Sequence, residues 1–202
     1  GYCLKKAKDL NKDQSYFLYR LNQDQLKRIL FPLGVYTKYE VRELARKFGL
    51  AVFDKVGSQE ICFLPQDDYR AFLKSRVKKA IAPGKIIDSE GNILGGHKGI
   101  AFYTIGQREG LGIARGYPVY ITRIDPENNL ITVGAKMRAC KKEFLVKELN
   151  FISKPIKNKV ALKVKIRYNH KEALAEALPY RNKIKIRFKK PEFAITPGQS
   201  AV

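Results

Sequence analysis

The sequence is poor in cysteine, histidine and acidic side chains, and it has no long apolar run. Three cysteines, Cys3, Cys62 and Cys140, stand in 202 residues. A sparse, odd count excludes the disulfide framework of a small secreted domain. No two cysteines have C-x-x-C spacing, and with only His97 and His170 to help, a zinc site is not expected. No stretch approaches the roughly 18 apolar residues that a membrane helix needs. Residues 1–8 are too polar for the apolar core of a signal peptide. A cytoplasmic protein without a membrane partner is the expectation.

The shortage of acid is the strongest compositional signal. Forty Lys and Arg face 19 Asp and Glu, a net charge of +21. Residues 1–72 carry 13 basic and 9 acidic groups, residues 73–140 carry 11 and 5, and residues 141–202 carry 16 and 5. The excess therefore grows from +4 through +6 to +11 toward the C-terminus. Charge this far from zero repels itself unless a polyanion relieves it, and nucleic acid is the natural partner. A lysine-rich surface with no such partner is the alternative. With no Met at its start and a final segment, 195–202, that reads as a strand still in progress, the chain is expected to be a fragment.

Three regions differ in pattern. Residues 1–72 read as helical. Asn11 with Gln14 has the form of a capping box, and Phe17, Leu18, Leu21, Leu26, Ile29 and Leu30 follow at helical spacing. The segment 31–34 breaks that pattern. Thr37 and Glu40 form a second box, which predicts a helix over 38–48 with Val41, Leu44, Ala45 and Phe48 on one face and Gly49 closing it. Residues 51–64 read as strand, turn and strand, and Asp67 or Asp68 caps a helix running to Val77. After Pro83-Gly84 the pattern turns to β. A hairpin over 85–94, a strand over 100–105, a glycine-rich loop over 106–112 and a hairpin over 119–133 are expected. Residues 160–168 and 183–188 alternate with period two. Residues 172–178 have helical composition but strand-like neighbours, and are read as a strand. Short strands carrying lysine at alternate positions point to a small barrel.

Cys62 lies in Ser58-Gln59-Glu60-Ile61-Cys62-Phe63, just after a Gly-Ser-Gln turn. A cysteine where a loop enters a strand is within a partner's reach, and nearby Lys or Arg would lower its pKa. The plainer reading of a cysteine between Ile and Phe is a buried structural one. His97 lies in Gly96-His97-Lys98-Gly99, where a structural or RNA-contacting role is favoured over catalysis. Gly106-Gln107-Arg108 is a weak phosphate-cradling signal.

Residues 11–18, 31–34 and 58–63 resemble the second half of the catalytic domain of the tRNA-specific 2-thiouridylase family. Residues 95–99 and 103–112 resemble that family's central domain, and Arg167-Tyr168 with residues 196–202 resemble its C-terminal β-barrel. The resemblance implies an α+β multidomain fragment. Residues 1–72 would be the helical remnant of an α/β ATP-pyrophosphatase domain, 73–140 a small β-rich central domain, and 141–202 a truncated, tRNA-binding antiparallel β-barrel. It further implies that Cys62 carries sulfur as a persulfide. Contacts to tRNA would come from Lys12, Asp13, Gln14, Arg167, Tyr168 and Gln199. ATP, with Mg2+, and a second catalytic cysteine that forms a disulfide with Cys62 would belong to an N-terminal half upstream of this chain. A sulfur-donor protein would load Cys62. Cys3 and Cys140 match no catalytic position and are read as structural. Each tRNA-contact residue has a bland alternative as a helix-start, strand-end or turn residue. A non-catalytic RNA-binding module and a thiol-redox protein without tRNA are the competing functions.

Overall fold

The computed structural model describes residues 1–55, 69–77 and 81–202. Cys62, the second half of the 51–64 segment and the caps at Asp67 and Asp68 lie outside the described residues. The described chain divides into two compact units. The first holds 1–55, 145–189 and 200–202, and the second holds 69–77, 81–144 and 190–199. Among the described residues no helix is long and apolar enough to cross a membrane.

In the first unit the Asn11 box does not form. Asp13 is buried, and its carboxylate accepts hydrogen bonds from Ala7 N (3.1 Å), Ser15 N (3.1 Å) and Ser15 Oγ (2.7 Å). A buried carboxylate needs such partners, and satisfying them folds the chain into a 3-10 turn, Ser15–Leu18, instead of an α-helix. A capping box appears one segment later, at Asn22 and Gln25, and starts α1, Gln23–Leu26. Pro32–Val35 is a second 3-10 turn. Helix α2, Lys38–Lys47, starts where Thr37 and Glu40 predict it, with Glu40 N donating to Thr37 Oγ1 at 3.2 Å. Gly49 follows in the left-handed region at φ 68°, as a helix-closing glycine does. Its apolar face is only half-covered, and Phe48 is 69% exposed. Residues 51–54 form a turn rather than a strand, closed by Phe53 N to Leu50 O and Lys55 N to Val52 O at 3.2 Å each.

The same unit contains β6 (Val160–Val164) and β7 (Ala173–Tyr180), followed by β8 (Lys183–Phe193), which continues into the second unit. These strands pair antiparallel, with Leu162 opposite Ala175 and Ala177 opposite Ile186. Val164, Ala175, Ala177, Ile184, Ile186 and Phe188 form the buried face. This period-two burial shows why 172–178 is a strand despite its helical composition: Ala175 and Ala177 fill one face. Strand β6 stops at Val164. Lys165 instead exchanges backbone hydrogen bonds with Val202, at 2.7 and 3.0 Å. The expected strand over 195–202 is absent. Ala194 turns β8 off at φ 60°, and Gln199 N closes a turn on Thr196 O at 3.2 Å.

The second unit is built on a sheet of order β2-β1-β4-β3. Its strands are β1 (Gly84–Ile87), β2 (Ile93–His97), β3 (Tyr120–Asp125) and β4 (Leu130–Gly134). The two hairpins are antiparallel and meet through a parallel β1–β4 pair. Ile86, Ile121, Ile131, Val133, Leu111 and Val119 form its core. Strand β5 (Cys140–Val146) opens the other sheet, of order β5-β8-β7-β6. The fold is α+β. Among the described residues both sheets are four-stranded, and neither closes into a barrel. Residues 147–159, between β5 and β6, contain no strand that would close it.

The expected strand over 100–105 is a 3-10 turn, Ile100–Phe102. Gly99 precedes it at φ 124°, so close to the neighbouring backbone that a Cβ would lie 2.4 Å from Ile81 Cα. His97, 2% exposed, is fixed at both ring nitrogens. Gly99 N donates to Nδ1 at 3.1 Å, so Nε2 bears the proton and donates to Asn129 O at 3.1 Å. His97 thereby ties the end of β2 to the β3–β4 turn. The 106–112 loop does not cradle phosphate at Gly106, whose N–H donates to Ile121 O at 2.8 Å while Ile121 N returns a bond to Gln107 O at 2.9 Å. His97→Ala is expected to lower unfolding stability by about 1–3 kcal/mol, because the buried Gly99 N–H and the half-buried Asn129 carbonyl lose their partner. Urea unfolding indistinguishable from wild type would remove this structural role.

Candidate nucleic-acid interface

Four of the six tRNA-contact residues expected from sequence meet or support one surface of the first unit. Gln14, exposed, donates from Nε2 to the Tyr168 hydroxyl at 3.1 Å. The Tyr168 ring lies 4.7 Å from that of Phe17 at an interplanar angle of 33°. Phe17 is 57% exposed, so the pair presents an aromatic shelf to solvent. Lys165 sets its ammonium 5.4 Å from the Tyr168 ring centre, within cation–π range. Beneath the shelf, Tyr16 is buried and packs edge-on against Phe17 at 5.5 Å.

Arg167 and Asp13 lie deeper than their sequence reading implied. Burial pulls the Arg167 guanidinium below the ordinary arginine value, with Tyr16 acting in the opposite direction. It remains a cation at any physiological pH. Burial likewise raises the Tyr16 hydroxyl, with Tyr19 adding to the shift and Arg167 opposing it. For Asp13, burial works upward, but the Ser15 hydroxyl, the Ala7 and Ser15 N–H groups and the charge of Lys165 outweigh it, and the net shift is downward. Asp13 is therefore an anion with its acceptor sites turned into the protein. It sets the 13–18 turn that carries Gln14 and Phe17.

Lys12 is exposed beside this turn. Lys12, Asp13 and Gln14 also line a cavity of about 690 Å³ whose apolar wall includes Leu26, Leu33 and Val41. Large side chains around that wall remain open to solvent, Leu30 being 90% and Val35 68% exposed. Gln199 is exposed in the Thr196–Gln199 turn of the second unit. Cys62 falls outside the described residues. Cys3 is exposed and Cys140 half-buried, its Sγ 3.6 Å from Lys136 O.

The sequence reading missed Phe17, Tyr16 and Lys165. Phe17 was counted among the apolar positions of a helix, and a 3-10 turn forms there instead. Tyr16 and Lys165 gain their roles from partners far away in sequence. The only sequence signal for them was their adjacency to the residues already singled out at 12–14 and 167–168.

Chemically, the surface offers a π-face, a rim of cations and an exposed amide. That combination takes an unstacked base with its phosphate. Comparison with known proteins shows what the chain is similar to. Three family models match in succession: the tRNA methyl transferase HUP domain over residues 1–66, the tRNA methyl transferase PRC-barrel domain over 70–135, and the aminomethyltransferase beta-barrel domain over 141–202. The tRNA-specific 2-thiouridylase MnmA 1 of Caldanaerobacter subterraneus subsp. tengcongensis is 53% identical over 203 residues, covering 100% of this chain and 56% of that protein. The tRNA-specific 2-thiouridylase MnmA of Acetivibrio thermocellus is 47% identical over 203 residues, with the same coverage of 100% and 56%. That of Natranaerobius thermophilus is 49% identical over 200 residues, covering 98% of this chain and 54% of the relative. The chain thus spans a little over half the length of the relatives it matches. Consecutive family models along nearly its whole length, and identity near one half to these relatives, lead to one conclusion: the chain belongs to the tRNA-specific 2-thiouridylase family.

Proposed function

We propose that the chain is the tRNA-holding and sulfur-carrying part of a tRNA-uridine 2-sulfurtransferase. The observation that carries the tRNA half of this proposal is the shelf of Phe17 and Tyr168, rimmed by Lys165 and bonded to Gln14. The names of the relatives support the choice of tRNA and of 2-thiolation. Lys12, Arg167 and Gln199 complete the proposed tRNA contacts, and Asp13 acts by positioning Gln14. Residues 1–72, 73–140 and 141–202 serve as the end of the catalytic domain, the central domain and the tRNA-binding domain.

The proposed chemistry follows from the substrate. The C2 oxygen of uridine is a poor leaving group. Residues upstream of this chain would hold ATP with Mg2+, which would supply adenylation of that oxygen, with pyrophosphate released, and so make AMP the leaving group. Cys62 holds a persulfide supplied by a sulfur-donor protein. The terminal sulfur attacks C2, and AMP departs with the C2–O electron pair. Position rather than diffusion delivers it. A second cysteine thiolate, also upstream, then attacks the Cys62 sulfur. The S–S bond breaks, its electron pair forms the thiocarbonyl, and a cysteine–cysteine disulfide remains. A thiol reductant returns the pair to the reduced state. If instead the second cysteine first releases hydrosulfide, the same atoms balance with hydrosulfide as the nucleophile. On either route the 202-residue chain alone forms no 2-thiouridine, and the reaction takes place in the cytoplasm.

Two outcomes are expected. Phe17→Ala and Tyr168→Ala should each weaken tRNA binding by about 1–3 kcal/mol, the value of one base–aromatic stack, measured by equilibrium binding at fixed salt. Wild-type affinity in both variants would remove the shelf from the tRNA site. In the longer protein containing this chain, Cys62→Ser should bind tRNA normally and yield no 2-thiouridine by nucleoside analysis. Near-normal product would return Cys62 to a structural role and favour a non-catalytic RNA-binding module.

A further inference from the structure

The densest run of positive charge is not part of the shelf. Between Glu176 and Glu192 the sequence has no acidic residue, while Arg181, Lys183, Lys185, Arg187, Lys189 and Lys190 fall within ten positions. Strand pleating sorts them. Ile184, Ile186 and Phe188 are buried, so Lys183, Lys185, Arg187 and Lys189 stand on the opposite face of β8. Successive cations on that face are roughly 7 Å apart, two residues of strand.

The β7–β8 hairpin ends the row in a specific way. Tyr180 pairs with Lys183, leaving Arg181 and Asn182 as a two-residue turn. Tyr180 is 46% exposed, and the Arg181 guanidinium carbon and the Lys185 ammonium nitrogen each lie 5.8 Å from its ring centre. Arg181 has φ 54°, the left-handed region in which glycine would be unstrained. A two-residue hairpin turn requires a positive φ at its first position, so the turn projects the Arg181 side chain at a site where glycine would be the unstrained choice. Glu176, opposite Arg187 in the β7–β8 ladder, bonds Lys159 at 2.7 Å, and the charges of Arg187 and Lys189 also favour its ionised form.

We propose that the outer face of β8 is a track for the phosphodiester backbone of RNA, ending at Tyr180 and Arg181, where the exposed ring stacks a base or ribose. This rests on tRNA being the partner, and it adds a contact separate from the Phe17–Tyr168 shelf. Evenly spaced point charges suit phosphate and carry no base readout. The track therefore supplies affinity and register on the tRNA body, while the shelf holds an unstacked base.

The test is tRNA binding by the 202-residue chain as a function of salt. Replacing Lys185, Arg187 and Lys189 together by Gln should reduce the slope of log K against log salt by about 2 to 3, the yield of three lost phosphate contacts. A control with Lys85, Lys98 and Lys136 replaced by Gln should change it by less than 1. Arg181→Gly should bind several-fold more weakly while melting at the same temperature or higher, an opposition that a merely structural arginine would not produce. Lys185→Arg should retain the wild-type slope. A slope change in the triple variant no larger than in the control overturns the track, and wild-type binding by Arg181→Gly overturns its tip. If Tyr168→Ala still weakens binding in that case, tRNA remains the partner. If Phe17→Ala and Tyr168→Ala also bind like wild type, the function proposed above fails with it.

Discussion

The buried hydroxyl of Tyr16 donates to the carbonyl of Ser200 at 2.8 Å, fastening the beginning of the chain to residues 184 positions later. The contact does not stand alone. Ser200 Oγ donates to the Tyr19 hydroxyl at 2.9 Å, and Asn150 Nδ2 to Tyr19 O at 2.6 Å. Val202 pairs with Lys165, which follows β6. The segment bearing Gln14 and Phe17 and the segment bearing Lys165, Arg167 and Tyr168 are thereby held in one place. Neither segment makes an aromatic shelf by itself. Losing the partner of the buried Tyr16 hydroxyl costs about 1–3 kcal/mol, and here that loss would fall on the geometry of the shelf.

Asp13 is the local counterpart of this long-range fastening. Its three hydrogen bonds fix the 13–18 turn from within, and the neighbouring charge of Lys165 favours its ionised form. A residue set beside Lys12 and Gln14 as a tRNA contact thus does structural work in the fold. His97 is the parallel case in the second unit. It is a histidine in a glycine-rich segment whose ring is consumed by two backbone groups.

What was legible in the sequence was what depends on near neighbours. The Thr37–Glu40 box started α2 at the expected residue, because both partners lie within one helical turn. Alternation located β6 and β8, because burial of one face follows directly from pleating. The misses share the opposite cause. Asn11 and Gln14 have the sequence of a local box, but the bonds of Asp13 to Ala7 and Ser15 fold the segment differently. Residues 100–105 are apolar enough for a strand, yet Gly99 takes a conformation dictated by close approach to Ile81. The final segment reads as β in composition, but Ala194 leaves the extended region and Val202 pairs with Lys165 beyond the Thr196–Gln199 turn. At the candidate site, Gln14 and Tyr168 were each singled out, but their hydrogen bond across 154 positions was not foreseeable from either segment.

The central claim is that both ends of the first unit form a single tRNA-binding surface. Amide hydrogen exchange of the 202-residue chain, with and without saturating tRNA, tests it most directly. Slowed exchange is expected in residues 14–19 and 165–168 together, with both changes following the same dependence on tRNA concentration. Unchanged exchange in both segments, or protection of one without the other, would contradict a shared surface.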